Sequence, residues 1–143
     1  MTDTKAAAEI RQLMADREQA MRTGDADLLA SHYAPDAVQF DLEPPLLHPA
    51  VELRDPARMR NWFAKFGGRV HYDISELTVT AGEDVAFCRS LDRMGSAAAG
   101  FEMWFRSTIG FRRDGERWLI VDEHRSTPFY MDGSFLAATD LQP

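Results

Sequence analysis

The chain has 143 residues, enough for one domain of ordinary size and not for two. Hydrophobic residues make up 45% of it and charged residues 27%, a balance that excludes a disordered polypeptide. The formal net charge is −7 and the sequence pI is near 5.0, so phosphate backbones and anionic lipid surfaces are poor partners. We therefore expect a single soluble domain that binds neither nucleic acid nor membranes.

Cysteine content and the N-terminal segment narrow the class further. Cys88 is the one cysteine, which allows neither an intrachain disulfide nor a cysteine-based zinc site. No apolar run approaches the roughly 18 residues that suggest a membrane span. No apolar signal core follows the first residues. These observations favour a cytoplasmic protein.

The N-terminal half predicts helices with one strand between them. Apolar residues recur at helical spacing over residues 5–23. Asp25 is a suitable N-cap for a short second helix. Residues 36–42 alternate between apolar and polar side chains, which is typical of a strand. A third helix should begin at Asp55, because Pro56 fits the first helical position.

From residue 70 onward the apolar pattern changes to period two. It predicts strands near 70–79, 85–93 and 101–113, and a last strand that ends near Ser126. A bulge near Ser75-Glu76 would keep the apolar side chains of the first of these strands on one face. Helices followed by long antiparallel strands indicate the α+β class.

The last hairpin predicts which side chains face the interior. Asp114-Gly115 is a two-residue turn signal, and a turn there places Arg113 opposite Glu116. The face that the helices should cover then carries Phe105, Ser107, Ile109, Phe111, Trp118, Ile120, Asp122 and His124. The other face is mixed in character and could form a dimer interface; it includes Trp104, Arg106, Val121 and Arg125.

Three polar residues are candidates for acid–base chemistry: Asp41, Asp122 and His124. Two carboxylates and an imidazole in an apolar interior would have perturbed pKa values, because burial opposes charge and proximity couples the groups. Such a trio suits proton transfer to or from a carbon acid, or polar anchoring of an apolar ligand. The alternative is that Asp122 and His124 only satisfy each other's hydrogen-bonding groups.

Metal and nucleophile signals are weaker. His32, His48 and His71 are scattered over helix, loop and strand without a recognised metal-binding spacing. Cys88 lies in mid-strand and is expected to pack as a small hydrophobic residue. No glycine-rich loop opens a helix to hold phosphate. The sequence predicts neither a metal nor a cofactor.

Three segments resemble the nuclear transport factor 2-like superfamily, which includes ketosteroid isomerases and SnoaL-like polyketide cyclases. Residues 23–25 and 32–38 are similar to the family's opening GD…LYADDAV, and residues 49–63 are similar to the segment that follows it. The most specific segment is FRRDGERWLIVDEHRS at 111–126. It is similar to the ending of the calmodulin-dependent kinase association domain and its bacterial relatives.

The resemblance implies a single domain over 1–143 shaped as a cone: a barrel of strongly bent antiparallel sheet wrapped around three N-terminal-side helices. A pocket at the open end and a homodimer through the outer sheet face are common in the superfamily. Asp41 matches the proton-shuttling aspartate of ketosteroid isomerases. Arg17 and Ile109 stand where those enzymes have a tyrosine and a protonated aspartate as oxyanion donors, so steroid isomerisation is not expected.

Three functions stay open. The first is a cofactor-independent isomerase, cyclase or dehydratase acting on a small apolar carbonyl compound, with Asp41 as base and His124, oriented by Asp122, as acid or electrostatic partner. The second is a non-catalytic ligand-binding module, and the third is a homodimeric assembly module. The candidate ligand contacts are Arg17, Tyr33, Trp62, Phe63, Phe105, Ser107, Ile109 and Ile120. The apolar tail 127–143 should pack over the pocket mouth or on a second subunit.

Overall fold

The computed structural model describes residues 3–143, and residues 1 and 2 lie outside the described part. Within it, the helices are α1 (Thr4–Thr23), α2 (Ala26–Ser31), α3 (Ala50–Leu53) and α4 (Pro56–Ala64). The strands are β1 (Tyr33–Phe40), β2 (His48–Pro49), β3 (His71–Ala81), β4 (Val85–Ser96), β5 (Phe101–Asp114) and β6 (Arg117–Ser126). The α+β class is confirmed, and the very short α3 and β2 are additions to the predicted elements.

Local sequence explains where the long helices begin and end. The Asp3 carboxylate accepts hydrogen bonds from two backbone N–H groups of the first turn of α1, at 3.0 and 3.1 Å. Gly24 ends α1 with a left-handed φ of 73°. A Cβ on Gly24 would lie 2.0 Å from the carbonyl oxygen of Gly68, so this close approach also requires glycine. Asp55 caps α4 as predicted.

The six strands form one open, mixed sheet in the order β2-β1-β6-β5-β4-β3. The expected antiparallel pairing holds for four of the five neighbouring pairs, and the pairing of β1 with β6 is parallel. A parallel pair needs a long connection, which the intervening helices and strands supply. The predicted bulge in β3 is present: the register shifts between Ser75 and Thr78, and Glu76 has a φ of 53°.

The turn of the β5–β6 hairpin lies one residue later than predicted. Asp114 pairs with Arg117, so Gly115 and Glu116 are the two turn residues. Gly115 has a φ of 63°, the conformation that a tight hairpin requires at its first central position.

A β-bulge in β6 changes the register a second time. Phe111 pairs with Ile120, whereas the next pair is Gly110 with Asp122, so Val121 is an extra residue on its strand. Because successive side chains of a strand point to opposite faces, one extra residue reverses the orientation of every side chain beyond it.

The bulge overturns the predicted interior of β6. Glu123 is 3% exposed and faces the interior, and Arg125 lies on the same side. Asp122 and His124 are exposed on the outer face of the sheet. The prediction that Asp122 and His124 point inward is therefore wrong, because it assumed a regular strand through Val121.

Two hydrophobic clusters fill the space between helices and sheet. One joins α1 to the hairpin side of the sheet and includes Ile10, Met14, Phe111, Trp118 and Ile120. The other joins α2 and α4 to β3 and β5 and includes Leu29, Phe63, Tyr72 and Phe105. Within residues 3–143, no helix is long and apolar enough to cross a membrane.

Candidate functional site

A cavity of about 380 Å³ lies between the helices and the inner face of the sheet, a volume suited to a small molecule. The exposed side chains Glu43, Asn61 and Lys65 mark its opening. Its walls are largely apolar and include Met59, Trp62, Phe66, Met94 and Met103. Polar side chains also line it: Tyr33 and Gln39 of β1, Asp41 just after β1, Arg125 of β6 and Arg17 of α1.

The buried Glu123 carboxylate organises these polar side chains. The Tyr33 hydroxyl and the Gln39 amide each donate a hydrogen bond to its Oε1 at 2.5 Å. Arg125 Nη2 donates to Oε2 at 3.2 Å, and Arg17 Nη2 lies 3.9 Å from the same oxygen. Burial would raise the pKa of Glu123, but the two guanidinium groups and the two hydrogen bonds hold that pKa at about 2. Glu123 is therefore a charged anchor and not a proton donor.

Contacts with three neighbouring groups hold the Arg17 guanidinium in place. Its Nη1 donates to the Leu29 carbonyl oxygen and contacts His32 Nδ1, both at 3.1 Å, while Nη2 donates to the Tyr33 hydroxyl at 3.1 Å. Burial, reinforced by the charge of Arg17, lowers the pKa of His32 to about 4. A neutral His32 imidazole can accept the hydrogen bond from Arg17 through Nδ1.

Asp41 and Arg125 face the cavity together. Asp41 follows the end of β1, its side chain is 14% exposed, and its Oδ1 accepts a hydrogen bond from the Leu42 backbone N–H at 2.7 Å. Arg125 Nη1 lies 3.8 Å from Asp41 Oδ1. Burial opposes the charge of Arg125, but Glu123 and other neighbours, Asp41 among them, raise the pKa of Arg125 well above its ordinary value. The arrangement offers a carboxylate beside a permanent cation.

A second group of buried polar residues consists of Tyr72, Ser90 and Asp92. The Tyr72 hydroxyl and the Ser90 hydroxyl both donate to the Asp92 carboxylate, the latter at 2.6 Å. Burial raises the pKa of Asp92, although both hydrogen bonds oppose the shift. A small cavity of about 20 Å³, room for about one water, is lined by Asp92, Ser107 and Ile109.

The predicted site residues fall into four places. Arg17, Tyr33, Asp41 and Trp62 line the main cavity. Ser107 and Ile109 line the small cavity. Phe63, Phe105 and Ile120 belong to the hydrophobic clusters. Asp122 and His124 are exposed on the outer face, where the His124 ring lies edge-on to Phe40 with ring centroids 5.5 Å apart.

Sequence analysis missed three residues of the polar group: Gln39, Glu123 and Arg125. Gln39 shares its strand face with Asp41 in the alternation of residues 36–42, and this signal could have found it. Glu123 and Arg125 were unrecognised because the bulge at Val121 leaves no mark in a continuous apolar run. Sequence analysis also missed the cluster of Asp41, Glu43 and His48 at the cavity mouth, whose potential metal-ligand atoms lie within 4.8 Å of one another.

The outer face of the sheet differs in part from the predicted interface. Arg106 is exposed there, and Trp104 is half-buried. Arg125 faces the cavity instead, because the bulge reverses its orientation, whereas Val121 is the extra residue of the bulge, is partly buried and packs against a core cluster.

The tail 127–143 is mostly exposed. Phe129 pairs with Ala137, and Ala138 is buried. No residue after Arg125 lines the main cavity in the described chain.

Comparison with known proteins identifies close structural relatives. A family model of a SnoaL-like domain matches residues 10–130. None of the curated proteins matches the chain. An NTF2-like protein of unknown function from Pseudomonas putida KT2440 is 32% identical, with a TM-score of 0.89 over 100% of both chains.

Two more distant structures share the fold. A candidate dehydratase of the NTF2-like family from Streptomyces avermitilis is 16% identical, with a TM-score of 0.73, and the match covers 85% of this chain and 95% of that one. The association domain of C. elegans CaMKII is 21% identical, with a TM-score of 0.65, covering 84% and 94%. At these identities the likeness concerns the fold alone.

Proposed function

Because this chain belongs to the SnoaL-like family within the nuclear transport factor 2-like superfamily, we propose that it is a cofactor-independent acid–base enzyme. Its substrate would be a small, largely apolar carbonyl compound bound in the main cavity. The observation that carries this proposal is the pairing of Asp41 with Arg125 on one cavity wall, 3.8 Å apart. A structure of the same fold is described as a candidate dehydratase, and we include dehydration among the reactions to be tested.

The two residues have complementary roles. Asp41 takes a proton from the carbon next to the substrate carbonyl, and the C–H electron pair moves into an enolate. Arg125 donates a hydrogen bond to the enolate oxygen. It thereby takes the role predicted from the sequence for His124, which lies on the outer face of the sheet. Return of the proton from Asp41 to another carbon gives an isomerase. Its transfer to a β-hydroxyl group, which leaves as water while the enolate collapses to the conjugated carbonyl compound, gives a dehydratase. Attack of the enolate carbon on a second carbonyl of the substrate, whose oxygen takes up the proton from Asp41, gives a cyclase.

Glu123 acts as a positioning residue. Its Oε2 holds Arg125 from the side opposite to bulk solvent, while its Oε1 is occupied by Tyr33 and Gln39. A guanidinium fixed in this way does not have to reorganise when negative charge develops on the substrate. A substrate that fills the space between the apolar walls around Trp62 and Met103 would displace water from it, which strengthens that interaction.

Exchange of α-protons tests the proposal without knowledge of the natural substrate. Small ketones such as 2-tetralone are incubated with the protein in D₂O, and loss of the α-proton signal is followed by NMR. Wild-type protein should accelerate the exchange, and Asp41→Asn should reduce the rate at least ~100-fold, because removal of a general base has effects of that order. Asp122→Asn, an exposed carboxylate on β6, is the matched control and should exchange like wild type.

Two results would contradict the proposed function. Equal exchange by wild type and Asp41→Asn would remove Asp41 as the base. Ketones that bind in the cavity but exchange no faster than in buffer would favour the non-catalytic ligand-binding alternative.

A homodimer through the outer sheet face is a second proposed role, compatible with the first. Phe40 and Phe87 are 45% and 50% exposed on this face, beside the half-buried Trp104. Exposed aromatic side chains on one face are typical of an interface core. The likeness to the C. elegans association domain supports assembly as a use of this fold.

A further inference from the structure

The mouth of the main cavity carries a cluster that proton transfer does not explain. One carboxylate oxygen of Asp41, one of Glu43 and one ring nitrogen of His48 lie within 4.8 Å of one another. We propose that this cluster binds a divalent transition-metal ion, with Asp41, Glu43 and His48 as ligands. The site goes beyond the proposed enzyme function and does not depend on it, but it shares Asp41, so a bound ion would occupy the carboxylate proposed as the base.

His48 is oriented as a ligand by its surroundings. Its side chain is nearly buried at 4% exposure, unlike that of an ordinary surface histidine. Nδ1 lies 2.8 Å from Glu52 Oε2, one helical turn further along the chain. When Nδ1–H donates to that carboxylate instead of accepting from Arg58 Nη2, Nε2 is the ring nitrogen that can bind an ion. A carboxylate behind the ring is the arrangement that orients many metal-bound histidines.

Nε2 of His48 faces the segment that holds the other two ligands. In the absence of an ion it faces the backbone carbonyl oxygen of Glu43 at 3.3 Å; because that oxygen only accepts hydrogen bonds, an ion at Nε2 must replace an N–H there. Asp41 and Glu43 are two residues apart in the bent segment after β1, and a carboxylate oxygen of each lies within 4.8 Å of the other. For one ion to bind all three ligand atoms at about 2.0–2.2 Å, each side chain has to move by about one ångström or less.

The donor set selects the class of ion. One imidazole nitrogen with two carboxylates suits Zn²⁺, Co²⁺, Mn²⁺ or Fe²⁺, whereas Mg²⁺ and Ca²⁺ prefer oxygen ligands alone. Three protein ligands leave coordination positions for water or a ligand group. Because the cluster lies at the cavity mouth, water or a ligand group can reach those coordination positions from solvent.

Arg58 provides the opposing charge in the absence of an ion. Its Nη2 lies 3.1 Å from Glu43 Oε1 and 3.2 Å from His48 Nδ1, and its Nε lies 3.9 Å from Glu52 Oε2. A metal ion must compete with this guanidinium for Glu43. Removal of the Arg58 charge should therefore tighten metal binding, whereas removal of a ligand should weaken it.

Titration of the purified wild-type protein with CoCl₂ alone, followed by calorimetry and by the visible absorption of Co²⁺, tests the site. Wild type should bind one ion. Glu43→Gln and His48→Gln should each weaken binding at least tenfold. Glu52→Gln, which removes the carboxylate behind His48 and a partner of Arg58, should weaken it about 10–100-fold. Arg58→Gln should bind more tightly than wild type. His71→Gln, an exposed histidine on β3, is the control and should bind like wild type.

The affinity for Co²⁺ should fall in the ligand variants and rise in Arg58→Gln, and these opposite changes keep the proposal falsifiable. Because His48 is buried, its variant could lose stability, but Glu43 is exposed and Glu43→Gln should fold normally. Absence of Co²⁺ binding by wild type, or weaker binding by Arg58→Gln, would show that the cluster is only an ion-pair network around Arg58. The titration involves no turnover, so a failed exchange assay would leave its outcome unaffected.

Discussion

Glu123 keeps its charge although it is almost completely shielded from solvent. A buried carboxylate is tolerated only when opposite charges and hydrogen bonds replace its water shell. Here Arg125, Arg17, Tyr33 and Gln39 supply them. The consequence at the scale of single residues is that Arg125 stays fixed beside Asp41. The same carboxylate thereby connects the stability of the protein with the geometry of its cavity.

Replacing Glu123 by glutamine should be strongly destabilising. The variant leaves the buried Arg17 guanidinium without its ion pair and Arg125 with Asp41 alone, and breaking a buried ion pair in this way costs about 3–5 kcal/mol in the free energy of unfolding. Urea unfolding followed by circular dichroism measures the loss. The neighbouring exposed Asp122→Asn is the control and should change the free energy by about 0.5 kcal/mol or less. Equal stability of both variants would contradict the role of Glu123.

The pH dependence of stability should identify the same group. The pKa of Glu123 is about 2 in the folded protein against an ordinary value of 4.5, so the unfolded chain takes up this proton first. The stabilisation is complete above pH 4.5 and is lost as the pH falls towards 2. The free energy of unfolding of wild type should therefore fall more steeply over this interval than that of Glu123→Gln. Parallel curves would show that other carboxylates dominate acid unfolding.

At the scale of elements, the junction between α1 and α2 depends on a close backbone contact. Gly24 combines a left-handed conformation with the approach of the Gly68 carbonyl oxygen, which leaves no space for a Cβ. This contact joins the end of α1 to the turn that precedes β3. Both segments flank the cluster that contains Phe63 and Tyr72.

Gly24→Ala should lower the free energy of unfolding by about 1–3 kcal/mol through backbone strain, with a further loss from the clash at Gly68. Gly67→Ala is the matched control. Its φ is also positive, at 78°, but a Cβ there meets no atom within 4 Å, so it should lose only the strain. Thermal unfolding compares the two. Equal losses would show that the contact with Gly68 contributes nothing.

The elements themselves were predictable because their signals are local. Asp55 with Pro56 marks a helix start, and the parity change near Ser75 marks a bulge. The interior of β6 was not predictable, since Trp118 to Val121 are all apolar and either parity buries apolar side chains. Asp41 was found through the family resemblance, whereas Arg125 required the observed register. The mouth cluster needed tertiary contacts that no spacing reveals.

For the molecule as a whole, the cavity and the aromatic outer face lie on opposite sides of the same sheet. A dimer through Phe40 and Phe87 would therefore leave the cavity of each protomer open. Ligand binding and assembly are then compatible functions of one small domain.

Sedimentation of the wild-type protein at micromolar concentration should give the mass of a dimer. Phe87→Glu should shift the equilibrium to monomer, because a charge in an interface core is left without a partner. Leu46→Glu is the control: Leu46 is 95% exposed in the loop between β1 and β2, outside the sheet face, and its variant should stay dimeric. A monomeric wild type would remove the assembly role.

The extra residue at Val121 has a consequence for how such proteins diverge. Two chemically different pairs alternate along the same strand: Glu123 and Arg125 point inward, and Asp122 and His124 point outward. Deletion of one residue at the bulge would exchange the two pairs and bring a titratable histidine and aspartate into the cavity without a single substitution. In this fold, a change in chain length by one residue can therefore replace the polar side chains that line the cavity with a chemically different set.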